Sequence, residues 1–132
     1  MAAVNKKIQV AVADDHSLLR QALAKLINSF ENFSVLFEAN NGNEIKAKLG
    51  KHIIPDIVLL DVNMPDMDGF EVLELLAKDP KKYGNVKTIC ISAMHFDNSK
   101  EEGCLELCDY YLEKPVDKTQ LLEKVASCFT AN

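Results

Sequence analysis

The 132-residue chain has no Cys-x-x-Cys pair, no excess of basic charge, no repeat and no low-complexity tract. No apolar run approaches the roughly 18 residues that a membrane span requires. Each absence excludes something. Cys90, Cys104, Cys108 and Cys128 are scattered, and no His or further Cys lies near the Cys104–Cys108 spacing to complete a zinc site. They read as core thiols of a reducing cytosol. The opening MAAVNKKIQVAVADDH offers a few apolar residues and then two acids, which is unlike a secretory leader. A cytoplasmic protein without membrane contact is the expectation. Fifteen Lys and Arg against twenty Asp and Glu give a net charge of -5, leaving no general basic field for direct nucleic-acid binding.

What is present is an ordinary globular composition, 48% hydrophobic and 27% charged, of a length suited to one domain over residues 1–132. Short apolar runs alternate with helical patterns throughout, the sequence form of a βα repeat with a parallel sheet. IQVAVA (8–13), SVLFEA (34–39), DIVLLD (56–61), VKTICIS (86–92) and YYLE (110–113) read as five strands, the second more polar, as an edge strand can be. Leu18, Leu19, Ala22, Leu23, Leu26, Ile27 and Phe30 recur at helical spacing over about 16–30. A short helix is expected at about 43–50, after the turn Asn40-Asn41-Gly42. Asp68 with Glu71 opens a helix that carries Phe70, Leu73, Leu76 and Ala77 and stops at Asp79-Pro80. Residues 97–107 form a weaker helical pattern, and a last helix opens at Asp117 and buries Leu121, Leu122, Val125 and Phe129. Right-handed crossovers place helices on both faces of the sheet. The fold class is therefore α/β, a doubly wound (βα)5 three-layer sandwich of the flavodoxin-like kind.

In such sheets, chemistry gathers at the carboxyl ends of the strands. Strand one ends in Asp14-Asp15, strand three in Asp61, strand four in Ser92-Ala93 and strand five in Glu113-Lys114-Pro115. With the order 2-1-3-4-5, strands one and three are neighbours about 5 Å apart, so three carboxylates converge. Like charges so close repel unless compensated. A divalent cation with oxygen ligands resolves the conflict, and a small, incomplete carboxylate set with room for water suits Mg²⁺ better than Ca²⁺. Lys114 adds a point charge for an anion and Ser92 a hydroxyl. Together they suit a phosphoryl group, with Asp61 as the oxygen nucleophile. Singly, each residue reads as well as a turn former, a helix cap or a surface cation. Their matching placement at four strand ends favours a shared site.

The set VADDHSLLR, IVLLDVNMPDMDGFEVL, ICISA and YYLEKP resembles the receiver domain of bacterial response regulators, the CheY-like family, across essentially the whole chain. The resemblance implies the strand order 2-1-3-4-5 and phosphorylation of Asp61 by a sensor histidine kinase or phosphotransfer protein. It implies Mg²⁺, or Mn²⁺ in its place, on Asp15 and Asp61, with Asp14 acting through water and the backbone carbonyl of Asn63 as a further ligand. Lys114, Ser92 and Ala93 would meet the phosphate, and the Lys114-Pro115 peptide would be cis. Pro65 and Gly69 would shape the loop after Asp61. Ser92 and Tyr111 would be the switch pair, their movement remodelling the face made by the fourth helix, fifth strand and fifth helix. Such a domain is a phosphoacceptor rather than a turnover enzyme.

The chain departs from the family pattern where Leu107-Cys108 replaces a small Gly-Ala pair and where Met94 follows Ser92 by two, so helix-four conformation and phosphate lifetime are not implied by the resemblance. Haloacid-dehalogenase-type phosphatases carry a second Asp where Asn63 stands here. A flavodoxin-like cofactor binder needs a Gly-, Ser- and Thr-rich loop where Asp14-Asp15-His16 stands. VADDHSLLRQAL and FEANNG resemble receivers that precede LuxR/NarL-type DNA-binding domains. Output through a separate protein, through a fused output domain, or as a phosphorylation-inactive interaction module stays open, as does a homodimer.

Overall fold

Six residues of IQVAVA form β1 (Ile8–Ala13), and their last four side chains are buried because this strand lies inside the sheet. The computed structural model describes residues 7–62, 69–92, 103–104, 106–114 and 116–128. After β1 come α1 (Ser17–Ser29), β2 (Phe33–Ala39), α2 (Gly42–Gly50), β3 (Ile57–Asp61) and α3 (Gly69–Lys78). A short α4 (Pro80–Tyr83), β4 (Lys87–Ser92), β5 (Tyr110–Glu113) and α5 (Lys118–Ser127) complete the described elements. Gly103, Cys104, Glu106 and Leu107 are helical, within the weaker helix expected before β5. The sheet is parallel and runs β2-β1-β3-β4-β5, the expected order.

All five residues of β3 are buried, which is what a central strand covered on both faces requires. Alternate residues of the strands feed two cores. Val10, Val12, Ile57, Leu59, Ile89 and Ile91 pack with Leu23 and Ile27 of α1 and Leu121 and Val125 of α5. Ala11, Ala13, Val58, Leu60 and Cys90 pack with Ile45 and Leu49 of α2 and Val72, Leu73 and Leu76 of α3. β2 is an edge strand, and its pairing with β1 slips by one residue between Val10 and Ala11.

Four expected core residues lie outside the core. Leu18 is 80% exposed, Leu122 is 40% exposed, and Ala22 and Ala77 are also exposed. The buried stripe of α1 passes through Leu23, Ala24 and Ile27, and Leu18 sits well off that stripe on a helix of 3.6 residues per turn. Phe129 lies outside the described residues. The helix that stops before Asp79-Pro80 reopens at once as α4: the Asp79 side chain accepts from the Lys82 N–H at 3.2 Å, and Pro80 occupies a first-turn position where its missing donor costs nothing. Asp117 caps α5 by accepting from the Thr119 N–H at 3.0 Å. Asp68 and the turn after Asp61, including Pro65, lie outside the described residues.

Gly69 positions the start of α3 against the end of β3. A Cβ there would stand 2.9 Å from the Val62 Cα and 3.4 Å from the Asp61 carbonyl oxygen, a separation that only glycine allows without movement.

Candidate functional site at the carboxyl edge of the sheet

Strand register delivers the acidic residues. Ala13 pairs with Leu60, so the next residues, Asp14 and Asp61, leave adjacent strands side by side. Asp61 pairs with Ile91, and Ser92 follows; Ser92 pairs with Glu113, and Lys114 follows. The Lys114 N–H donates to the Ser92 carbonyl at 2.8 Å, extending the ladder one step past β5. The backbone alone thus gathers Asp14, Asp61, Ser92 and Lys114 at one edge.

Three of these are buried polar residues: Asp14, Asp61 and Ser92 are 1%, 3% and 1% exposed. Asp15 is exposed, yet Asp14, Asp15 and Asp61 each bring one carboxylate oxygen within 4.8 Å of the other two. Such a group could hold a hard divalent cation while leaving positions for water. The Lys114 ammonium lies 3.2 Å from Asp61 Oδ2, balancing part of that charge.

Asp14 shows the strain of the arrangement. Its Oδ1 accepts the His16 N–H at 2.8 Å, but its buried Oδ2 has no hydrogen-bond partner among the described residues. Burial pushes the Asp14 carboxyl above its usual range, and the Asp61 charge adds to this. The His16 N–H and the Lys114 charge pull the other way. A buried oxygen of this kind is the mark of a site built for another group, since nearly all buried polar atoms in folded proteins are paired.

Arg20 is a residue to which the motifs assigned no role. Its guanidinium donates to the Asp14 carbonyl at 3.1 Å and to Asn40 Oδ1, and forms an ion pair with Glu38 at 3.1 Å. It therefore ties the turn carrying Asp14 and Asp15 to the end of β2. Its position on the inward side of the first turns of α1, soon after the acid pair, is the sequence signal that points to it. Asn41 and Glu44 secure the adjacent helix start: Glu44 N–H donates to Asn41 Oδ1 at 3.0 Å, and Glu44 Oε1 accepts the Asn40 N–H at 2.7 Å.

Tyr111 stands on β5, 39% exposed and paired in register with Cys90. Asn63, Ala93 and Pro115, with the peptide geometry at Lys114-Pro115, lie outside the described residues. The structure therefore brings together Asp14, Asp15, Asp61, Ser92 and Lys114 and sets Tyr111 on the neighbouring edge strand. Among the described residues no helix is long and apolar enough to cross a membrane.

Comparison with known proteins agrees with this arrangement. Residues 10–126 match the family model of the response regulator receiver domain. The chain is 32% identical over 120 residues to the transcriptional regulatory protein DegU of Brevibacillus brevis, covering 90% of this chain and 49% of that one. It is also 32% identical over 117 residues to the chemotaxis protein CheY of Listeria monocytogenes, covering 88% and 93%. This chain thus spans about half the length of DegU but nearly all of CheY. Among solved structures, a chain of the CheX–CheY–BeF₃–Mg²⁺ complex from Borrelia burgdorferi superposes with a TM-score of 0.79 at 28% identity, covering 96% of this chain and 92% of that one. Fold, strand-end residues and relatives converge: this chain belongs to the response regulator receiver domain family of two-component systems.

Proposed function

We propose that the receiver accepts a phosphoryl group on Asp61 from a phosphohistidine of a sensor histidine kinase or phosphotransfer protein. The observation that carries the reading is the buried Asp61 carboxylate, held among Asp14 and Asp15 and paired at 3.2 Å with Lys114. An Asp61 oxygen attacks phosphorus, the bond from phosphorus to the donor imidazole nitrogen breaks, and the imidazole leaves. The product is an acyl phosphate. Lys114 attracts the incoming phosphoryl oxygens, and the rigid, fully buried β3 holds the nucleophile in one place.

Asp14, Asp15 and Asp61 would hold Mg²⁺, which the partnerless Asp14 Oδ2 and the all-oxygen donor set suit. When bound, the ion would neutralise charge on the carboxylates and the phosphoryl group. The Borrelia CheX–CheY complex includes Mg²⁺ and BeF₃, which supports the same donor chemistry here. Phosphorylation adds nearly two negative charges at neutral pH. Ser92 donates its hydroxyl to the new phosphate and Tyr111 turns inward, remodelling the edge at β5 and α5 for a partner protein or a fused output domain. Relatives of both lengths, DegU and CheY, are compatible with either output.

The test is intact mass after incubation with Mg²⁺ and acetyl phosphate. One phosphoryl adduct is expected on the parent and none on Asp61→Asn or on metal-stripped protein. An unmodified parent that also fails to bind beryllofluoride would overturn the reading and leave a receiver fold acting as a fixed interaction module.

A further inference from the structure

Among the fifteen Lys and Arg of the chain, Arg20 is the only arginine. It stands where a planar, forked donor has a use that an ammonium lacks. One terminal guanidinium nitrogen donates both to the Asp14 carbonyl at 3.1 Å and to Asn40 Oδ1, while Nε donates to Glu38 Oε1 at 3.1 Å. Asn40 is itself held, its N–H donating to Glu44 Oε1 at 2.7 Å at the start of α2. With its side chain only 12% exposed, the arginine is anchored on the end of β2 and, through Asn40, on α2.

The carbonyl that Arg20 holds belongs to the peptide unit joining Asp14 to Asp15. A peptide unit is planar, so fixing its oxygen orients the Cα atoms of both acids. The rest of Asp14 is already tied: its N–H donates to the Ala39 carbonyl at 3.1 Å, and its Oδ1 accepts the His16 N–H at 2.8 Å. Arg20 supplies the remaining constraint, after which Oδ2 is the one polar atom of Asp14 without a partner. The helix start adds no side-chain clamp of its own, since His16, the N-cap of α1, makes no capping hydrogen bond. Asp15 is exposed, so its place beside Asp14 and Asp61 depends on this backbone.

We propose that Arg20 is a positioning residue for the cation site, setting its affinity for Mg²⁺ by orienting the Asp14–Asp15 peptide unit. This inference rests on the Mg²⁺ reading given above and adds the residue that tunes it. The guanidinium bonds to the carbonyl and not to a carboxylate oxygen, so it acts on the cation through the backbone. A lysine at this position keeps the charge but loses the fork that serves three acceptors at once. Groups that orient metal ligands without touching the metal typically change its affinity by about 10- to 100-fold.

The experiment is isothermal titration calorimetry of the full chain with magnesium chloride at constant ionic strength. Arg20→Met and Arg20→Lys, their folds checked by thermal melting, should each weaken Mg²⁺ binding by about tenfold. Val125→Ala, which thins the core late in α5, should melt earlier yet bind Mg²⁺ as the parent does. A second readout needs no variant. As the only arginine, Arg20 gives the only arginine Nε–H signal in a proton–nitrogen correlation NMR spectrum, and that signal should shift during the Mg²⁺ titration with the calorimetric midpoint. Parent-like affinity in either Arg20 variant, equal weakening in Val125→Ala, or an Nε–H signal unmoved at saturating Mg²⁺ would each overturn the positioning role and leave the Mg²⁺ reading standing. A parent that takes up no Mg²⁺ would overturn the Mg²⁺ reading itself, and the positioning role with it.

Discussion

Lys114 Nζ reaches 3.2 Å from Asp61 Oδ2 across the end of β4, so the pair joins two strands that do not touch each other. The ammonium is partly exposed and the carboxylate only 4% exposed, so the contact lies at the boundary between solvent and core. Replacing Lys114 with Ala should cost about 1–2 kcal/mol of stability, less than a fully buried pair because solvent screens the lysine. It should slow Asp61 phosphorylation by acetyl phosphate roughly 100-fold, the usual scale for losing one electrostatic contact to the reacting group. Urea melts and time-resolved intact mass measure the two effects separately.

The partnerless Asp14 Oδ2 predicts opposite responses to charge removal and to metal. Asp14→Asn should stabilise the metal-free protein by roughly 1 kcal/mol, because it removes a buried charge beside Asp61 while keeping an oxygen for the His16 N–H. Millimolar Mg²⁺ should raise the melting temperature of the parent by about 2–4 °C and leave the variant unmoved. Differential scanning calorimetry with and without EDTA reads both. A variant less stable than the parent without metal would show that the Asp14 charge is satisfied in the folded chain.

Gly69→Ala should be worse than an exposed helix substitution. Alanine is the better helix former, but its Cβ would press on the Val62 backbone at 2.9 Å, where no flexible side chain can yield. The expected loss is about 1–3 kcal/mol, the scale of overpacking, and α3 should shift away from the end of β3. Equilibrium unfolding gives the energy. Gly50→Ala, whose Cβ would meet nothing within 4 Å, is the matched control and should be neutral or slightly stabilising.

Alkylation should divide the thiols by pH. Burial pushes the Cys128 thiol up to about 11, whereas the Cys90 hydrogen bond draws Cys108 down. Reaction rate follows the thiolate fraction, so the Cys108 rate should rise at a pH below the ordinary thiol range and that of Cys128 only well above it. Iodoacetamide labelling followed by peptide mass across a pH series tests the order. Cys128 labelled before Cys108 at neutral pH would contradict it.

The strands were legible because a buried parallel strand is a short, nearly continuous apolar run, and IVLL and ICIS are such runs. Asp14, Asp15, Asp61, Ser92 and Lys114 were legible as a site for a related reason: polar residues directly after such runs must sit at the sheet edge. Periodicity was less reliable on the helices. Leu18 and Leu122 are apolar residues on helical patterns, yet both face solvent, because a one-dimensional pattern does not say how wide the buried stripe is. The second short helix after Asp79-Pro80 was hidden by reading proline only as a stop.

By itself, the sequence determined the alternation of elements, the layer architecture and the identity of the acidic edge, because these follow from local periodicity and the chain order of strand ends. Tertiary structure decided which oxygen of Asp14 lacks a partner, that Arg20 spans from α1 to the end of β2, and that Gly69 must be without a side chain. Those are distances between residues far apart in the chain or on different elements. They are set by how two cores pack around one sheet, which no local pattern encodes.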